Sequence, residues 1–112
     1  MSRFVSKSPL LHDVLPEVTA ELDRLLREEQ QVGLAKQVMS LRLVERCRCG
    51  DSFCATLYTQ PKPNGAYGSG HTNVLLSPDT GMIILDVVNG QIACVEILYR
   101  DEIRARVLTL LP

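Results

Sequence analysis

The sequence predicts an α+β fold: N-terminal helices, a four- to five-stranded antiparallel meander sheet and a short C-terminal helix. Three observations lead there. Apolar residues recur at helical spacing before residue 40, and after it the apolar period changes to two. Later, two apolar runs flank Asn89-Gly90, a pair suited to a tight hairpin turn because both turn positions need positive φ. Helices on one side of an antiparallel sheet define the class. The chain has 112 residues, so a single domain over 1–112 with a core of its own is expected. Trp is absent and aromatics are scarce, so Leu, Val and Ile must fill that core.

In the N-terminal third, Ser8-Pro9 reads as a helix start, and Pro16 either ends that turn or opens a second helix. Leu15, Val18, Leu22, Leu25 and Leu26 form an apolar stripe, with an Asp23–Arg27 ion pair on the polar side. Gly33 interrupts the pattern, and a further helix is predicted over 34–39. From Ser40, Leu41, Leu43, Cys47 and Cys49 share one side of a strand, while Arg42, Val44, Arg46 and Arg48 share the other. Gly50-Asp51-Ser52 is a turn, and 53–59 reads as a second strand. The stretch QPKPNGAYGSGH, residues 60–71, is a long loop. Loops of that length in compact domains are often functional. Residues 72–77 read as a third strand.

Around Asn89-Gly90, a two-residue turn pairs Val88 with Gln91, Asp86 with Ala93, Ile84 with Val95 and Met82 with Ile97. Both faces of that hairpin are then largely apolar, which predicts a central place or burial against a partner. Asp101 is a plausible N-cap for a last helix carrying Ile103, Val107 and Leu110. The apolar end, Leu111-Pro112, is expected to pack on the sheet or on another subunit.

Residues Ile83 to Val88, Asn89-Gly90 and Val95-Glu96-Ile97-Leu98 carry a resemblance. The segment GMIILDVVNGQIACVEILYRDEI is similar to the C-terminal hairpin of a family of small bacterial domains of unknown function. That resemblance implies a fold piece and a bacterial origin, and no mechanism.

Twelve basic residues stand against thirteen acidic ones, with the signs interspersed. Neither a basic arm nor an acidic tail results, and nucleic acid is not an expected partner. No segment approaches the ~20 apolar residues of a membrane span, and the start MSRFVSKSPLL has no cleavable signal pattern. The expectation is a soluble cytoplasmic protein with no membrane partner. Its thiols would stay reduced there rather than form a disulfide framework.

Chemistry concentrates at Cys47, Cys49 and Cys54, spaced C-x-C-x4-C. If Asp51-Ser52 is the turn, Cys49 faces Cys54 with Cys47 diagonal to them. Three thiols on one face can hold Zn²⁺, with His71 as the best fourth ligand and Cys94 next. If the turn spans Gly50-Asp51-Ser52, Cys49 faces Phe53, Cys47 faces Ala55 and the apolar sides match. That match favours the second register, in which Cys54 points away and the cysteines fill core. A redox-active thiol flanked by Arg46 and Arg48 is a third reading. The arginines of that strand read as a solvated stripe or a binding surface. Lys62, Tyr67 and His71 can line a pocket, but no nucleophile–base set is apparent, and Glu96 reads as an edge or interface residue. The leading functional expectation is a non-enzymatic protein that works by binding a protein partner or itself as a homo-oligomer. The alternatives are a zinc-stabilised domain and a small enzyme with a pocket under the 60–71 loop and His71 as its acid–base group.

Overall fold

The computed structural model describes residues 7–112 and has the predicted α+β class. Its elements are α1 (Leu11–Val14), α2 (Pro16–Glu28), α3 (Val32–Ala35), a 3₁₀ turn (Val38–Ser40), β1 (Glu45–Arg46), β2 (Leu57–Tyr58), β3 (His71–Leu76), β4 (Met82–Val88), β5 (Gln91–Leu98) and α4 (Asp101–Leu110).

Pro16 opens α2 at its first turn, where the missing N–H is not needed and the fixed φ suits the helix. Among the described residues, Ser8 does not cap the helix that follows. The Pro9 carbonyl accepts from the Leu43 amide, and α1 begins at Leu11 without a side-chain cap. The α2 stripe is as expected: Val18, Leu22, Leu25 and Leu26 are buried, and Arg27 meets Asp23 at 3.1 Å. Helix α2 stops at Gln30, whose φ of 59° is left-handed. The Gln31 amide then returns to the Leu26 carbonyl at 2.8 Å, a C-terminal closure that more often uses glycine. Gly33 is therefore not the break; it lies inside α3, and the helix expected over 34–39 is divided between α3 and the 3₁₀ turn. The last helix also starts differently, since Asp101 lies within α4 and Arg100 is the cap position, with no side-chain bond.

All strand pairs are antiparallel, in the order β1-β2-β5-β4-β3. Strand β2 lies beside β5 and not beside β3. The connection 59–70 must therefore cross from β2 past β5 and β4 to the far edge, about 14 Å at ordinary strand spacing. That span accounts for the loop's length. The crossing ends at Gly70, whose φ is 85° and where a Cβ would lie 2.2 Å from Asn89 Oδ1. Only glycine lets the loop land on the hairpin turn at that point.

The turn itself is as predicted, with positive φ at Asn89 and Gly90 and Val88 opposite Gln91. Beyond it the expected register fails. Val87 pairs with Ile92 and Asp86 with Cys94, so Ala93 is an extra residue, a β-bulge. The Ala93 carbonyl is turned to accept the amides of Thr59 and Gln60, at 3.0 and 3.3 Å. From there on every β5 residue lies one place from its expected partner. Val95 and Ile97 join Ile83, Leu85, Val87 and Ile92 on the inner face, within one core that includes the α2 stripe, Ile103 and Val107. The outer face keeps Met82, Ile84, Val88 and Leu98 but now also carries Asp86, Cys94 and Glu96.

Candidate functional site

Directly opposed residues of a sheet share a face, so the register lays out the outer face in rows. Tyr58 lies opposite Cys94, which lies opposite Asp86, which lies opposite Asn73. The bulge brings Cys94 and Glu96 onto this face beside Asp86. Glu96 sits on β5, in the middle of the sheet, and is not the edge residue its sequence position suggests.

Strand β1 follows the register that the apolar match disfavoured. Glu45 pairs with Tyr58 and Arg46 with Leu57, and the Cys47 amide meets the Thr56 carbonyl at 3.0 Å. Continued, this ladder sets Cys49 against Cys54. Leu41 and Leu43 enter the core, but Cys47, Cys49 and Cys54 do not. The strand loses its regular alternation at Val44, and the core-filling reading fails with it. Cys47 and Cys54 are half-buried and Cys49 is exposed. The three Sγ atoms lie within 4.8 Å of one another. Burial opposes ionisation of Cys54, but hydrogen bonds from Thr56, Cys49 and Cys47 outweigh it and lower its pKa. At Cys49 a backbone bond at Asp51 favours the thiolate, yet the neighbouring Cys47 and Cys54 push the thiol up to about 11. Cys54 is thus the thiolate-prone sulfur of the cluster, beside the raised thiol of Cys49.

His71 does not join the sulfurs. Its Nε2 lies 2.7 Å from Asp86 Oδ1, so the carboxylate partner that spacing did not reveal is Asp86. Asn73 Nδ2 donates to the same oxygen at 2.8 Å. Burial disfavours the Asp86 charge, but hydrogen bonds from Glu96, His71 and Asn73 hold the carboxyl below its usual range. Glu96 carries the converse shift. Its hydrogen bond to Asp86, then burial, then the Asp86 charge raise it to about 7. The pair shares a proton near neutrality. Burial, then the charges of Asp86 and Glu96, raise the Cys94 thiol, so it stays protonated. Tyr67 of the crossing loop packs on His71 with ring centroids 4.8 Å apart. Burial pushes Tyr58 up to about 12.

A cavity of about 330 Å³ lies between the two groups, bounded by Cys47 and Cys54 at one end and Asp86 and Glu96 at the other. Tyr67 gives it a wall from the 60–71 loop. Asp86, Glu96, Cys94 and Tyr58 were not singled out as one site by the sequence. A lone carboxylate at Asp86, inside the run MIILDVV, is the signal that points to it, because a buried charge requires partners.

The arginine stripe is occupied within the molecule. Arg42 donates to the Ser8 carbonyl, Arg46 to that of Leu111 and Arg48 to that of Pro112. Leu111 packs against the core, so the apolar end does lie on this domain. Among the described residues, no helix is long and apolar enough to cross a membrane. Comparisons of the chain with protein-family models, curated proteins and solved structures each found no match.

Proposed function

We propose that the chain binds a zinc ion through Cys47, Cys49 and Cys54, leaving the fourth position to water or an exogenous ligand. The approach of three sulfurs to within 4.8 Å carries this reading. Tetrahedral zinc with Zn–S bonds of 2.3 Å holds its sulfurs about 3.8 Å apart, so a closure of ~1 Å at most completes the geometry. Gly50, at φ 83° directly after Cys49, gives the connection freedom for that closure. Metal would displace the thiol protons of the cluster as it binds. His71 is not a ligand in this reading, because its ring nitrogens do not join the group of ligand atoms that the three sulfurs form.

Zinc content by atomic emission, followed by competition titration, tests it. The expected result is one zinc per chain, at least tenfold weaker binding in Cys54→Ala, and unchanged stoichiometry in Cys94→Ala. A chain that retains no zinc after exposure to excess metal and desalting rules the reading out.

Self-association is supported as a second reading by β3. This strand closes one edge of the sheet, and its sequence HTNVLL carries no Lys, Glu, Asp or Pro to block pairing. Leu75 is 66% exposed there. Two copies can pair β3 to β3 antiparallel about Asn73 and Val74. Light scattering should show a dimer that Leu75→Lys converts to monomer; a wild-type monomer at about 100 μM excludes a stable β3 pair.

A further inference from the structure

The cavity between the sulfurs and the carboxylates has the chemistry of a cation site, and its organic half has no assigned occupant. The chain holds only three tyrosines and two phenylalanines, yet Phe53, Tyr58 and Tyr67 all line this one space. Asp86 and Glu96 line it as well, and no lysine or arginine does. Aromatic faces with carboxylates attract an ammonium group. The chain's own Lys62 already places Nζ 6.0 Å from the Tyr58 ring centroid.

A second observation concerns Tyr67. Its hydroxyl is buried and has no hydrogen-bond partner, although burial normally demands one. Burial raises its pKa, and Cys94 beside it adds to the rise, but the hydroxyl has no partner in hydrogen-bond geometry; a ligand N–H group can supply one.

The same geometry argues against a metal ion at the carboxylate end. Among the described residues, the cysteines alone form a group of three ligand atoms within 4.8 Å. Asp86, Glu96 and His71 do not converge in that way, because His71 and Asn73 both use Asp86 Oδ1. Asp86 is committed to its neighbours, and Glu96 is the carboxyl left to face a ligand.

We propose that this cavity binds a small alkylammonium ion, whose N–H groups donate to Glu96 and to Tyr67 Oη while its carbon chain lies against Phe53 and Leu98. The site stands independently of the zinc reading, since none of these contacts involves a sulfur. A volume of about 330 Å³ suits a ligand of small-metabolite size and excludes a folded segment.

An NMR titration of the ¹⁵N-labelled protein at about pH 8, where the carboxyl pair is mostly ionised, tests the inference. The probes are n-butylammonium, n-butanol and butyrate, alike in chain and different in charge. Butylammonium should give saturable shifts at Tyr58, Tyr67, Cys94 and Glu96 with Kd on the order of 1 mM. Butanol and butyrate should not. Glu96→Gln should weaken binding about tenfold or more, and Tyr67→Phe roughly threefold. Tyr67→Phe removes an unpaired hydroxyl and should fold at least as well as the parent, so its affinity decides the matter even if Glu96→Gln is poorly folded. No saturable shift with butylammonium, equal shifts from butyrate, or parental affinity in a folded Tyr67→Phe chain would each overturn the proposal.

Discussion

The two faces of strands β4 and β5 differ sharply, although they are made by the same fifteen positions of chain. On the inner face, Leu85, Val95 and Ile97 are 0% exposed and meet the α2 stripe in one apolar cluster. On the outer face, Asp86 meets His71 and Asn73 through hydrogen bonds, and Asp86, Cys94 and Glu96 face two tyrosines across a cavity of about 330 Å³. Helices cover the first face and a single crossing loop roofs the second. The inner face is specified by volume and apolarity, which many sequences satisfy. The outer face is specified by which polar group meets which, and one register step changes every pairing on it.

The largest effect should separate the faces by stability. Leu85→Ala empties a fully buried position and should cost about 3–4 kcal/mol in chemical denaturation. Leu75→Ala, on the outer face and 66% exposed, should stay within about 0.5 kcal/mol. Equal costs at the two positions would mean that something covers the outer face in solution, which would favour β3 pairing.

That asymmetry also explains how much could be read in advance. The helical stripe of α2, the Asn89-Gly90 turn and the α+β class follow from periodicity and turn chemistry, which are local properties of the chain. The bulge at Ala93 is not local. It exists because Thr59 and Gln60, more than thirty residues earlier in sequence, need an acceptor at that point of the sheet. A strict two-residue alternation through QIACVEIL therefore put Val95 and Ile97 on the wrong face and hid the Asp86–Glu96 pair. The cysteines were legible as a cluster, but not their register. Leu41 and Leu43 do enter the core, and the apolar match from them was extended past Val44, where the alternation ends. His71 stood out as a candidate, yet its partner comes from another strand, fifteen residues along, and only the β3–β4 pairing reveals it.

A smaller effect should appear in the pH dependence of the outer face. Groups facing Glu96 are Asp86 on β4, His71 on β3, Cys94 on its own strand, and Tyr58 and Tyr67 opposite. In the fold, Glu96 is raised to about 7 from 4.5, so between those values the folded chain holds a proton that the unfolded chain has released. Its stabilisation is complete below about pH 4.5 and is lost as pH rises toward 7. Asp86 is lowered, and its share is lost in the other direction, below its ordinary pKa of 3.8. Stability should therefore fall by about 1–2 kcal/mol between pH 5 and 8, after allowance for solvent screening at the half-buried Glu96. Glu96→Gln keeps a permanent N–H donor toward Asp86 and should abolish that fall. A parent and a variant with parallel pH profiles would show that the two carboxyls are not coupled.

The smallest effect is the most specific test of the roofed cavity. Tyr67→Phe removes a buried hydroxyl that has no partner and leaves the ring on His71 in place. A hydroxyl desolvated without a hydrogen bond opposes folding, so its deletion should stabilise the ligand-free chain by up to about 1 kcal/mol. Core truncations such as Leu85→Ala must move stability the other way. Denaturation midpoints measured in the absence of amines give the sign directly. A loss of more than about 1 kcal/mol would mean that the hydroxyl is satisfied in solution, by ordered water in the cavity, and that the outer face is held together by a wet network and not by a vacant place for a donor.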